Sequence, residues 1–351
     1  MCASIDVCLA IEHYDVMYQA FTTRELRNLG CSDRDVRLAV DCCLERVARG
    51  RFAVKDQCDN PRHARIWEAV RQGDAEVLGK IGDVRDRLER TKILIRTRAD
   101  LINRRCADSG ISSAEIFSHL SAALLWEFVI VSMEKPVVEV IRTNTNTRHA
   151  HLIIRRRTVP AQHIARLGDT VVTSKERTLI DVARDYPLDL SVPMLDDALR
   201  KCLVAGDRLL TVLTECPEVR DAARVRTALG LADPRRESPG ESIVAVRFHE
   251  IGVDGFEPQV EIVDDRGFFI ARVDFLHAKS KTIVEFDGRI KYTLDGQDAR
   301  DAFDWERERE RQLRALGYHV IRVFWKDLWR RQAFTEIARN VAARTPAAST
   351  R

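Results

Sequence analysis

No stretch of this sequence is both apolar and uncharged for the roughly 20 residues that a bilayer-spanning helix needs, so no membrane partner is expected. A basic leader is missing as well. The opening MCASIDVCLAIEHYD carries Asp6 and Glu12 and neither Lys nor Arg, so a signal peptide is not expected. Charge of one sign is not in surplus: 57 Lys and Arg against 54 Asp and Glu leave a net +3, so any attraction to nucleic acid must come from a local basic surface. There is no CxxC pair. Nine cysteines, odd in number and without a repeated spacing, argue against a disulfide framework, and the adjacent Cys42 and Cys43 argue against a zinc site. Reduced thiols and a cytoplasmic location are the expectation. Internal repeats and low-complexity tracts are lacking too, so the chain divides into distinct globular segments.

What is present is enough apolar material, 45% of 351 residues, for two or three domains with cores of their own. The expected class is α/β, in three segments. The first, residues 1–56, contains Thr22-Thr23-Arg24-Glu25, a capping box that opens a short helix stopped by Gly30. Ser32 caps a second helix, DRDVRLAVDCCLE, with Val36, Val40 and Leu44 at helical spacing. Val47 to Val54 reads as a hairpin with Gly50 at its tip. Helix, turn, helix and basic hairpin together make a winged helix-turn-helix. Arg34 and Arg37 at the start of the second helix are placed to reach DNA bases or phosphates, and Arg49 and Arg51 on the wing to hold phosphates. Winged helices also dock proteins, and surface arginines are ordinary, so DNA contact competes with a simple docking role.

The second segment, residues 57–236, is a mixed α+β region. SSAEIFSHLSAALLWEF reads as a helix, PVVEVIR and AHLIIRR as strands, and Thr173-Ser174 as the cap of the helix KERTLIDVARD. Residues 57–110 give no reading beyond helix. His119 reads as a packed or capping residue rather than a catalyst. The polar ADPRRESPG marks the next boundary.

The third segment, residues 237–351, opens with a helix at Ser238-Pro239-Gly240-Glu241 that ends near Gly252. Strands follow at FEPQVEIVD, FFIARVDFL and TIVEFDG, then a charged helix over about 298–316, the strand HVIRVFW and a last helix. A two-residue turn centred on Lys279-Ser280 sets Asp274 directly opposite Glu285, whereas a turn longer by one residue spoils that pairing. Alternation puts Val273, Phe275, Val284 and Phe286 on one face and Asp274, Glu285 and Asp287 on the other. Carboxylates gathered on one half-buried face repel each other, and a divalent cation offsets this. Mg²⁺ (or Mn²⁺) held there can activate water and stabilise charge on phosphate. Lys291, four residues past Asp287, is placed to neutralise a transition state, and Glu241 to reach the same metal. Plainer readings stand beside these: Ser238-x-x-Glu241 is itself a capping-box pattern, Asp287-Gly288 a common turn, and Lys291 an ordinary exposed lysine.

In order, Ser238-Pro239-Gly240-Glu241, Val273-Asp274-Phe275, Val284-Glu285-Phe286-Asp287-Gly288-Arg289 with Lys291-Tyr292, then Glu306, Arg309, Glu310, Leu313, and finally Leu316 to Val323 with Trp325 and Leu328, resemble the very-short-patch-repair-like branch of the PD-(D/E)XK nuclease superfamily. The resemblance implies a restriction-endonuclease-like α/β domain with a mixed sheet. It makes Asp274 and Glu285 metal ligands and Glu241 a supporting acid. Asp287 stands where the superfamily has its lysine, a departure for which Lys291 is the substitute. Thr23-Arg24-x-Leu26, Arg49-Gly50-x-Phe52, Ser118-His119-x-Ser121-Ala122-Ala123 and Val172-Thr173-Ser174-x-x-Arg177-Thr178-Leu179-x-Asp181 resemble the AbiEi-type antitoxin family of type IV toxin–antitoxin systems. That resemblance implies DNA binding, a regulatory role and a cognate toxin or other protein partner. The expected function is thus a DNA-binding protein with a Mg²⁺-dependent endonuclease domain. The alternative is an antitoxin-like transcriptional regulator whose nuclease-like domain does not cut.

Overall fold

The computed structural model describes residues 20–40, 42–48, 50–54, 58–71, 84–109, 115–216, 221–288 and 307–346. The class is mixed α/β, and the chain separates into two compact units that meet between Asp181 and Val182. Among the described residues no helix is long and apolar enough to cross a membrane.

The first unit begins with β1 (Ala20–Thr22), α1 (Thr23–Asn28), α2 (Asp33–Val40), β2 (Leu44–Ala48) and β3 (Arg51–Val54). The Thr22–Glu25 capping box forms as expected: Glu25 N–H donates to Thr22 Oγ1 at 3.1 Å and Thr22 N–H to the Glu25 carboxylate at 2.6 Å. Ser32 caps α2, accepting from Asp35 N–H at 3.2 Å. That helix stops at Val40, not Glu45. Cys42 and Cys43 N–H both donate to the Ala39 carbonyl, at 3.1 and 2.8 Å, closing a turn. Leu44, at helical spacing from Val36 and Val40, instead starts a strand opposite Val54. Both arrangements bury Leu44, and tertiary pairing decides between them. The three strands form an antiparallel sheet in the order β1-β3-β2 around a core that includes Leu26, Val36, Leu44, Phe52, Ile66 and Trp67.

Helices α3 (Ala64–Arg71) and α4 (Val84–Ser109) follow. A six-stranded sheet then forms in the order β6-β7-β5-β4-β9-β8, from β4 (Ile116–Phe117), β5 (Val138–Arg142), β6 (Thr147–Arg148), β7 (Leu152–Arg156), β8 (Ile164–Leu167) and β9 (Thr170–Thr173). The expected helix at SSAEIFSHLSAALLWEF is shorter, α5 (His119–Leu125), because Ile116 and Phe117 pair with β5 and Phe117 with β9. Leu94 and Ile95 of α4 pack with Phe117, Val140 and Val172 of the sheet. Helix α6 (Lys175–Asp185), capped by Ser174 Oγ accepting from Arg177 N–H at 3.2 Å, runs through the division between the units.

The second unit adds α7 (Leu188–Arg200), α8 (Gly206–Glu215), α9 (Ala222–Leu231) and α10 (Pro239–Ile251). The ion pair Arg247–Asp189 (2.7 Å) ties α10 to α7, and Asp196 of α7 meets Arg236 at 2.6 Å, so residues on both sides of the expected boundary at 236 pack together. Next come β10 (Phe256–Val263), β11 (Phe269–His277) and β12 (Thr282–Asp287), then helix α11 over 307–315, β13 (His319–Phe324) and α12 (Arg331–Arg344). The sheet order is β10-β11-β12-β13, antiparallel except for the parallel pair β12–β13.

Candidate functional site

The connection between β11 and β12 is a 3₁₀ turn, Ala278–Ser280, closed by Lys281 in the left-handed region at φ 49°. It is longer than the two-residue turn expected, yet it is centred on the same pair, Lys279 and Ser280. The register is therefore the expected one: Phe275 lies opposite Val284, Leu276 opposite Ile283 and His277 opposite Thr282. One step further, this register sets Asp274 against Glu285. There the ladder gives way to a side chain, as Phe286 N–H donates to Asp274 Oδ2 at 2.7 Å. Glu285 itself continues in β12 beside Arg322 of β13.

The other flank of Asp274 is also irregular. Pro258 pairs with Phe275 and Val260 with Val273, which leaves Gln259 facing Asp274, and Gln259 has φ 55°. A non-glycine residue there is uncommon and strained. Its amide Nε2 donates to Glu241 Oε2 at 2.9 Å. Glu241, in the first turn of α10, also accepts from Ser238 Oγ at 2.7 Å and Glu237 N–H at 3.0 Å. Ser238 Oγ in turn accepts from Glu241 N–H at 3.2 Å. The capping expectation is thus half of what Glu241 does: its carboxylate returns past the cap to Glu237 and reaches β10. Gly240 is required next to it, because a Cβ there would lie 2.0 Å from the Phe286 ring, which is set edge-on to Trp325.

Burial pushes the Asp274 carboxyl up to about 6, and the negative charges of Glu241 and Glu285 push the same way, against the Phe286 N–H and the Arg309 guanidinium. Glu285 is compensated differently. Arg309 of α11 donates to its carboxylate at 3.0 Å, and Arg322 Nε lies 4.0 Å away. Asp287 is half-buried, beside Phe324 of β13 in register. Lys291 lies outside the described residues, as do Tyr292 and Glu306 of the resemblance. Glu241, Asp274 and Glu285 thus form one electrostatic neighbourhood, although no three of the acids have ligand oxygens mutually within 4.8 Å. Mg²⁺ typically takes only one or two carboxylates and fills its octahedron with water and phosphate oxygens.

In the first unit Arg34 and Arg37 are exposed on α2. Arg51 is not: it is 8% exposed, on a strand whose four residues are all buried, so the solvent-facing wing position expected of it is corrected. Arg49 lies outside the described residues. His119 is fully buried, between Ser118 Oγ (2.8 Å) and Arg157 (3.2 Å), beside the buried Asp181–Arg177 pair. It is packed, in agreement with the sequence reading.

Sequence reasoning passed over Gln259, whose left-handed backbone leaves no trace in residue type, and a thiol–imidazole cluster. Cys42, Cys43, Cys58 and His63 have ligand atoms all within 4.8 Å of one another. Burial raises the Cys43 thiol to about 12. Burial also works to raise Cys58, but hydrogen bonds from His63, the Asn60 backbone and Trp67 outweigh it and hold that thiol at about 7. Cys31, Cys42, Cys43, Cys58, Cys202 and Cys216 take part in no disulfide.

No protein-family model matches the chain, and no functionally curated protein matches it. Among solved structures, the crystal structure of the RV2827C protein from Mycobacterium tuberculosis is similar at 16% identity with a TM-score of 0.34, over 65% of this chain and 75% of that one. A likeness that slight says nothing of function.

Proposed function

We propose that the protein binds DNA through its N-terminal α/β region and hydrolyses phosphodiester bonds with a Mg²⁺- or Mn²⁺-dependent, PD-(D/E)XK-type site in its second unit. The observation that carries this reading is the convergence of charge on Asp274: it stands one residue beyond the paired part of β11 and β12, accepts from Phe286 N–H, and feels the negative charges of both Glu241 and Glu285, in a mixed sheet preceded by α10 and interrupted by α11. A mixed sheet flanked by helices agrees with the α/β domain that the nuclease resemblance implies. Asp274 and Glu285 hold the cation, which when bound supplies a Lewis acid for water and phosphate. Gln259 holds Glu241 in place, and Arg309 is set to meet a phosphate oxygen. The order β1-β3-β2 with α1 and α2 between the first two strands supports the winged-helix reading, with exposed Arg34 and Arg37 as the DNA contacts.

A second reading is favoured by one contact. Arg309 already neutralises Glu285 at 3.0 Å, as expected of a scaffold that binds nucleic acid or a toxin partner without cutting and acts as an antitoxin-like regulator. The two separate in one assay: the full chain on supercoiled, mismatched and single-stranded DNA, with Mg²⁺ or EDTA. Hydrolysis expects Mg²⁺-dependent nicking that Asp274→Ala abolishes while DNA affinity stays within a few-fold. DNA binding with no nicking on any substrate refutes hydrolysis and leaves the regulator.

A further inference from the structure

We propose that Cys42, Cys43, Cys58 and His63 form a tetrahedral Zn²⁺ site in the first unit, separate in place and chemistry from the carboxylates around Asp274. Three sulfurs and one imidazole nitrogen are one of the donor sets of structural zinc. Thiolates favour a borderline-soft ion such as Zn²⁺ over Mg²⁺. The spacing already matches. Zn–S near 2.3 Å and Zn–N near 2.0–2.1 Å at tetrahedral angles give an S···N edge of about 3.6 Å, and His63 Nδ1 lies 3.5 Å from Cys43 Sγ and 3.3 Å from Cys58 Sγ.

His63 supplies an independent reason. It is fully buried, and its Nδ1 contacts are both to sulfur, Cys43 Sγ and Cys58 Sγ. A buried imidazole served by weak S–H contacts is poorly satisfied, and a cation between Nδ1 and the sulfurs gives it a strong partner.

The chain around the cluster is shaped to present these atoms. The turn after α2, with both N–H groups on the Ala39 carbonyl, holds Cys42 and Cys43. Asn60 accepts from Arg62 N–H at 3.1 Å and Pro61 fills the first position of the 3₁₀ turn that ends in His63. The Trp67 indole N–H donates to Cys58 Sγ at 3.3 Å, the kind of outer contact that orients a thiolate ligand. On binding, each thiol gives its proton to solvent and a sulfur lone pair to Zn²⁺, and His63 stays neutral. Nothing is oxidised or reduced. The ion then ties the segment after β3 to the turn between α2 and β2, so it fixes the angle at which α2 and its exposed arginines stand.

The test uses the full chain, purified without metal-affinity resin. Elemental analysis is expected to find one zinc per chain, lowered by roughly tenfold or more in Cys58→Ser and Cys43→Ser and unchanged in the control Cys202→Ser. Because loss of a core cysteine also disturbs packing, the wild-type protein stripped with chelator is titrated with Co²⁺ alone. Tetrahedral d–d bands with thiolate charge transfer, displaced by Zn²⁺, support the site, and so does a higher melting temperature on Zn²⁺ addition. A zinc-free protein whose stripped form takes up no cobalt, or takes it up with octahedral spectra, overturns the proposal.

Discussion

Asp274 destabilises the unit it serves, and replacing it with Asn should reveal by how much. The folded-state carboxyl sits at about 6 against an ordinary 3.8, a gap of about 2 pH units. At 1.36 kcal/mol per unit this is an upper bound of roughly 3 kcal/mol, and 1–3 kcal/mol is the working range. The sign follows from the direction. Because the folded value is raised, the stability is fully present below 3.8 and is lost as pH climbs through about 6. Asn cannot ionise, and its carbonyl still accepts the Phe286 N–H. Asp274→Asn should therefore match the wild type near pH 4 and exceed it at pH 8, by several degrees of melting temperature at roughly 2–4 °C per kcal/mol. Asp196 of the same unit is also pushed up by burial to about 6, but it is present in both proteins and cancels. Differential scanning calorimetry from pH 4 to 8 measures the gap. Mg²⁺ should then narrow it by stabilising only the wild type, by about 2.7 kcal/mol at a hundredfold excess over the dissociation constant. If Asn is no more stable at pH 8, or if the gap ignores pH, then Asp274 is not held among like charges and the metal reading loses its footing.

Gly240→Ala sets two effects against each other. Helix propensity alone favours Ala by up to about 1 kcal/mol, but the added methyl meets Phe286 ring atoms at 2.0 to 2.5 Å, so a net loss of about 1–3 kcal/mol in chemical denaturation is expected. Asp181→Ala leaves Arg177, fully buried, without its 3.0 Å partner and should cost about 3–5 kcal/mol in the same measurement. Burial works against the charged Asp181, but Arg177, His119 and Arg157 hold its pKa below the usual value, so the stability it lends is present above that value and lost as pH falls through the folded one. Arg34→Ala with Arg37→Ala should weaken DNA binding and flatten its dependence on salt, by about 2 in the slope of log affinity against log salt, and an unchanged slope would remove α2 from the interface.

The fold was legible where local chemistry and tertiary packing agree. The Thr22 and Ser238 caps, the Gly50 hairpin and the β11–β12 register are all set by residues near in sequence. The register survived a wrong turn type because a four-residue connection centred on the same two positions conserves it. Legibility failed where position in a sheet decides. Arg51 opens a strand expected to expose alternate residues, and only the fold reveals that all four residues of that strand are buried. Leu44 satisfies a helical period, yet the sheet claims it. The cysteine cluster does not show in the sequence because it has no paired CxxC spacing: Cys42 and Cys43 come from a helix-ending turn, Cys58 from the segment after β3 and His63 from a 3₁₀ turn.

The three acids around Asp274 are not equivalent, and their inequality says where a cation would enter. Glu241 receives three donors, from Glu237, Ser238 and Gln259. Glu285 has the guanidinium of Arg309. Asp274, pushed up by burial, has the Phe286 N–H, with Arg309 as a more distant counterweight. Selection for stability alone would favour a neutral side chain there, since a half-buried carboxylate facing two others weakens the folded state. The β10 strand even holds Gln259 in a strained backbone, and that residue's amide serves Glu241 rather than Asp274. The uncompensated negative charge is thus concentrated at one oxygen-rich point at the splay of β11 and β12. A hard divalent ion matches it better than another hydrogen-bond donor would, because it sets two positive charges against Asp274 and Glu241, whereas the single charge of Arg309 is already shared between both oxygens of Glu285.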